Sequence, residues 1–152
     1  MPLPTITLMY HYHYPRPALT ADCVLFGEDP SGLKLLLIQR KNEPYKDFWA
    51  LPGGFMNMDE TIEACAQREL KEETGLEINN LKQLHTFSAP GRDPRGRTVS
   101  VVFVGIVEAA LFQPEGGDDA AKANWVSAGQ LPELAFDHKE IIQMAFDWYF
   151  NR

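Results

Sequence analysis

Glu69, Glu72 and Glu73 belong to the stretch Arg68-Glu69-Leu70-Lys71-Glu72-Glu73-Thr74-Gly75-Leu76, whose composition reads as the end of a helix. At about 100° per residue, Glu72 and Glu73 lie roughly 60° and 40° to either side of Glu69, so three carboxylates share one helical stripe. One and two turns earlier the same stripe carries Cys65, Ala66 and Ile62, which turns it toward protein rather than bulk water. Inward-facing carboxylates repel one another unless a cation sits among them. Hard oxygen ligands grouped in this way suit Mg²⁺ or Mn²⁺ and not zinc. The alternative is a solvated acidic surface helix with Arg68–Glu72 as an i, i+4 pair. Two flanking features favour the metal: Gly53-Gly54 permits close backbone approach to an ion or ligand, and Gly75 stops the helix directly after the acidic cluster.

These side chains need a scaffold, and the chain supplies one. Its 152 residues, 45% apolar and 23% charged, suit one soluble domain, 1–152, with a proper core. Ala18–Phe26, Leu33–Gln39 and Thr98–Val107 read as strands whose nearly continuous apolar runs call for cover on both faces. Leu81–Ser88 and Ala123–Ser127 are weaker strands. Helices are expected over Thr61–Thr74, with Thr61 as cap, and over Asp137–Phe150, where Ile141, Ile142, Ala145, Phe146 and Tyr149 recur at helical spacing. The fold class is therefore α/β, a layered α/β/α sandwich. Residues 1–17, rich in proline and carrying His11-Tyr12-His13-Tyr14, read as an N-terminal arm. Tyr10, Tyr12 and Tyr14 would let such an arm pair across a homodimer, and His11 and His13 are exposed or interface residues there. The net charge of −7 argues against nucleic acid or an anionic membrane as partner and suits a protein that gathers divalent cations. Without a signal peptide, a membrane span or a cysteine framework (only Cys23 and Cys65), the expected location is the cytoplasm.

The residues Gly54, Glu60, Arg68, Glu69, Leu70, Glu72, Glu73, Gly75 and Leu76 match every defined position of the 23-residue signature of Nudix hydrolases. Trp49-Ala50-Leu51-Pro52-Gly53-Gly54 also resembles the usual approach to that signature. The resemblance implies a Nudix-type sandwich with a mixed sheet and a loop-helix-loop metal site. It implies that Glu69, Glu72 and Glu73, with the Gly54 carbonyl, bind Mg²⁺ or Mn²⁺, that Glu60 supports the loop, and that Arg68 orients the carboxylates. Family members hydrolyse a nucleoside diphosphate linked to another moiety. Divalent ions would neutralise the phosphates, and one carboxylate would take the proton of the attacking water. Glu69, Glu73 or an acid on a later loop could be that base.

Two further segments bear on the substrate. Arg92, Arg95 and Arg97 lie within six residues, in Ala89-Pro-Gly-Arg-Asp-Pro-Arg-Gly-Arg97, and their guanidinium forks match phosphate geometry. A solvated turn built on Gly and Pro is the alternative. Glu115, Asp118 and Asp119 precede the strand bearing Trp125, where many family members place an acid near the metals. Arg92–Arg97, Gly117-Asp-Asp-Ala120 and Leu134-Ala-Phe-Asp-His138 together resemble the short ADP-ribose pyrophosphatases of bacteria and archaea. That likeness implies cleavage of ADP-ribose to AMP and ribose 5-phosphate, with a small-molecule nucleoside diphosphate as partner. The alternatives are a triphosphate-cleaving sanitiser of oxidised nucleotides and a non-catalytic ADP-ribose sensor. Regulators of the sensor type carry a winged-helix domain afterwards, for which a chain ending at Arg152 is expected to have no room. His85 and His138 are expected to be structural, Cys65 to be a packing residue, and Trp49 and Trp125 to form core or pocket walls.

Overall fold

The computed structural model describes residues 9–117 and 120–152. Its strands are β1 (Ala18–Asp29), β2 (Gly32–Arg40), β3 (Trp49–Ala50), β4 (Gly53–Phe55), β5 (Lys82–Phe87), β6 (Thr98–Glu108) and β7 (Ala120–Ser127). Two helices, α1 (Ile62–Thr74) and α2 (His138–Phe150), complete the frame. The apolar runs at Leu19–Phe26 and Val99–Val107 become the centre of the sheet, where β1 and β6 pair in parallel from Ala18–Thr98 to Glu28–Glu108. Among the described residues the other strand-to-strand pairings are antiparallel, so the sheet is mixed, as expected. It runs β3-β2-β1-β6-β5, with β7 on β2 and β4 on β1.

Alternation along β1 separates two cores. Ala21, Cys23 and Leu25 pack with Cys65, Ala66 and Leu70 of α1. Val24 and Phe26 face the other way, toward Ile141, Ile142 and Ala145 of α2. That division is the period-2 geometry of a strand covered on both sides, and it produces the anticipated three layers. β1 continues to Asp29 and β7 begins at Ala120, past the expected ends, whereas β5 falls one residue short at each end of its expected span. The two short strands β3 and β4 had no periodicity to announce them.

β1 is longer than either partner on its β2 side, and this arrangement makes the site. Phe26–Asp29 pairs with β2, whereas Thr20–Asp22 pairs with Phe55–Gly53 of β4. The glycine pair is thereby drawn into the sheet beside the helix that bears the carboxylates. The described part of the N-terminal arm, residues 9–17, is exposed irregular chain, His11 and His13 included. Among the described residues no helix is long and apolar enough to cross a membrane.

Candidate active site

α1 starts as its sequence indicates. The Thr61 side chain accepts from the Ala64 N–H at 3.1 Å, and Gly75 ends the helix in the left-handed region at φ 76°. Leu70, Cys65 and Ala66 anchor one face in the core, and Glu69 and Glu73 are carried to the edge of a cavity of about 480 Å³. Glu73 is nearly buried, and its Oε1 accepts from the Gly53 N–H at 2.7 Å. Gly54 lies so close to Glu69 that a Cβ there would meet the carboxylate at 2.5 Å. Gly54 and the acidic helix thus fit together only because glycine has no side chain, and Gly53 is held as closely against Ala21 and Asp22 of β1.

Arg68 ties the remaining acids together. Its guanidinium donates to both oxygens of Glu60 at 2.9 and 2.6 Å, to Glu69 at 2.8 Å, to Glu72 at 3.1 Å and to the Phe55 carbonyl at 3.0 Å. The Arg68 hydrogen bonds hold the Glu60 carboxyl at about 2, well under the usual range. The same carboxylates push the arginine's own pKa upward. Glu60 also accepts from the Asn57 N–H, which closes the loop ahead of the helix. Cys65 donates its thiol to the Gly54 carbonyl at 3.6 Å, and burial pushes that thiol up to about 12. It remains a protonated packing residue.

The three glutamates are not equivalent. Glu69 and Glu73 line the cavity, whereas Glu72 does not and leaves 43% of its side chain exposed. The 60° offset of Glu72 from Glu69 carries it out to the rim, on the side away from Glu73. Among the described residues no three His, Cys, Asp or Glu side chains converge on a closed cage. The site is an open wall of oxygen donors.

The arginine loop also borders the cavity, and its members are used differently. Arg92 is withdrawn into the structure, with 4% of its side chain exposed, and grips Asp137 through two hydrogen bonds of 2.9 and 2.6 Å. Arg95 is held by Asp93 at 3.1 and 2.8 Å and stacks near the Phe55 and Phe136 rings, 4.9 and 5.2 Å from their centroids. Burial would raise the Asp93 carboxyl, but the Arg95 hydrogen bonds outweigh it and keep it low. Both arginines line the cavity. Arg97 is exposed and not among the lining residues; its main-chain carbonyl accepts from Ala18 N–H instead. Asp118 and Asp119 lie outside the described residues. Glu115, just before them, donates its N–H to the Thr74 carbonyl, and Gly117 passes so close to Glu72 that a Cβ would overlap its carbonyl. The loop therefore docks on the end of α1.

Several lining residues escaped sequence reasoning. Asp22 and Thr20 come from β1, Phe136 from the turn before α2, and His138 from its first position. Phe136 sits at φ 53°, an unusual region for an aromatic residue, with its ring between Tyr45 and His138. His138 does have a structural role, as Nδ1 accepts from the Leu51 N–H at 3.0 Å, but it also faces the cavity. Neither Trp49 nor Trp125 lines the cavity. Both pack against the core, and the Trp125 indole donates to the Phe112 carbonyl.

A family model described as the NUDIX domain matches residues 16–145. The chain belongs to the Nudix family. As a Nudix protein it is 42% identical over 135 residues to an ADP-ribose pyrophosphatase of Methanocaldococcus jannaschii, covering 89% of this chain and 76% of that one. It is 39% identical over 137 residues to an ADPR-responsive transcriptional repressor of Acinetobacter baylyi, covering 88% of this chain and 54% of the repressor. Among solved structures it resembles the NUDIX domain of Shewanella oneidensis NrtR in complex with ADP-ribose. The TM-score is 0.82 at 32% identity, over 90% of each chain.

Proposed function

We propose that this Nudix chain hydrolyses the diphosphate of ADP-ribose to AMP and ribose 5-phosphate with the help of Mg²⁺ or Mn²⁺. The observation that carries the reading is the placement of Glu69 and Glu73, against the Gly53-Gly54 backbone, on the wall of a cavity that Arg95 also lines. The relative from M. jannaschii supplies the choice of substrate. The donor set fits the metal: all its members are oxygens, and Mg²⁺ is commonly held by one or two carboxylates plus waters and substrate phosphates rather than by a closed protein cage. Glu69, Glu73 and the Gly54 carbonyl would hold it, with Glu72 at the rim. When bound, the ion neutralises phosphate charge and acidifies water.

The chain's own groups do the rest. The Gly53 N–H and Arg68 fix the directions of Glu73 and Glu69, so the carboxylates need no reorganisation when an anion arrives. Arg95 offers a planar guanidinium to the diphosphate, stiffened by Asp93 and two aromatic rings. Water adds to one phosphorus, the P–O–P bridge breaks, and the proton passes to a carboxylate of the acidic wall, for which Glu69 and Glu73 are the candidates.

Purified protein incubated with ADP-ribose, and in parallel with an oxidised deoxynucleoside triphosphate, in Mg²⁺ or Mn²⁺, tests this reading. The expected products are AMP and ribose 5-phosphate from the first and little pyrophosphate from the second. Glu69→Gln and Glu73→Gln are expected to keep the fold and lose about a hundredfold or more in kcat. Wild-type turnover in either variant would overturn the assignment. The likeness to the Acinetobacter repressor favours a second reading, an ADP-ribose sensor, which tight binding without turnover in any divalent metal would establish.

A further inference from the structure

Asp22 and His138 meet at the cavity from distant parts of the chain, outside the acidic signature, and neither has a part in the hydrolysis as described. Asp22 lies on the α2 face of β1, beside β4. Its Oδ2 is occupied by the Ser100 hydroxyl, which donates to it from the neighbouring strand β6. Its Oδ1 lies toward Gly53, where any Cβ would strike it, and toward His138 Nε2. On the imidazole, Nδ1 accepts from the Leu51 N–H, so the proton of the neutral ring resides on Nε2. Burial favours that neutral ring: it pulls the imidazole below its ordinary pKa despite the opposing pull of Asp22 and Asp137.

An N–H donor and a carboxylate acceptor therefore face each other across 3.9 Å, too far for a direct hydrogen bond. Both groups also line the cavity. One kind of group satisfies both at once: an oxygen that has a lone pair for Nε2–H and a proton for Oδ1. A hydroxyl qualifies, as does the water molecule that a substrate hydroxyl would displace. A phosphate oxygen has no proton to give and would be repelled by Asp22, and an amide N–H has no lone pair to offer. We propose that Asp22 and His138 form a hydroxyl-recognition subsite that receives one sugar hydroxyl of the substrate and sets which nucleoside diphosphate derivatives are accepted. This deepens, and rests on, the ADP-ribose reading above. Ser100 acts here through Asp22, by fixing the carboxylate's orientation.

The test uses ADP-ribose and a set of analogues that each lack a single ribose hydroxyl. Turnover is measured with Mg²⁺, and binding is measured by calorimetry. Wild-type protein is expected to lose about tenfold or more in kcat/KM and in affinity for one of these analogues, because removing that hydroxyl leaves a buried donor and acceptor unmatched. In Asp22→Asn, and separately in His138→Gln, that discrimination is expected to collapse to within about twofold as ADP-ribose itself binds more weakly. Equal handling of every analogue by the wild-type protein would overturn the subsite while leaving ADP-ribose hydrolysis standing. Binding that discriminates among analogues without any turnover would uphold the subsite and overturn the hydrolase reading. Neither binding nor turnover of ADP-ribose would overturn both. Because the decisive comparison varies the ligand and not the protein, a variant that fails to fold does not remove it.

Discussion

At Arg68 one guanidinium serves three carboxylates and a carbonyl, a use that depends on its planar fork. Arg68→Lys keeps the charge and loses the fork. We expect kcat to fall about a hundredfold through misplacement of Glu69, and stability to fall by about 1–3 kcal/mol, an amount discounted because a quarter of the side chain meets solvent. Steady-state kinetics and urea unfolding measure the two. His138 gives a second prediction. Its folded pKa lies below that of the unfolded chain, so its stabilising contribution is complete above about pH 6.5 and fades as pH falls through that value. The urea midpoint should therefore decline between pH 7.5 and 5.5, and His138→Gln should flatten that decline. Glu60, held at about 2, loses its contribution in a separate window below the usual carboxylate pKa. The signature residues were legible because they act within one turn of helix and one preceding loop. Asp22 and His138 were not, since only the parallel pairing of β1 with β6 and the docking of α2 bring them to one cavity.

Among the elements, α1 depends most on local signals. Thr61→Ala removes the side-chain cap and should cost about 1 kcal/mol, seen as a fall of about 2–4 °C in Tm. Activity should be little changed, because Leu70 and Cys65 still seat the helix in the core. Its caps and its length followed from spacing, as did the burial of Cys65, Ala66 and Glu73, whereas Glu72 of the same stripe is exposed at the rim. α2 was equally legible in extent, yet Asp137 behaves otherwise than its position suggests. It stands at the start of the helix and makes no side-chain cap, because Arg92 takes both carboxylate oxygens. The short strands β3 and β4 were invisible for another reason. Two or three residues carry no period, and their pairing is imposed by β1 and β2.

Across the whole molecule, the Arg92–Asp137 pair joins the loop between β5 and β6 to the start of α2, and so fixes the mouth of the cavity against the second helical layer. A run of arginines in a loop carries no mark of which one a distant aspartate will claim; Arg92, one of the three candidates for the substrate, lines the cavity while bound to Asp137. With so little of either side chain in solvent, Arg92→Ala should cost about 3 kcal/mol by leaving Asp137 without its partner. Replacing both, as Arg92→Met with Asp137→Leu, should cost less, which denaturant unfolding of the three proteins will show. The length of β1 has a practical consequence. Asp22 sits in the part of β1 that pairs with β4, and the tight turn at Asp29–Gly32, closed by Asp29 on Ser31, lies at the far end, about 23 Å away at strand rise. A fluorescent dye or a surface tether grafted at Ser31 would thus report on or immobilise the protein from the far side, with the entrance for small molecules left open.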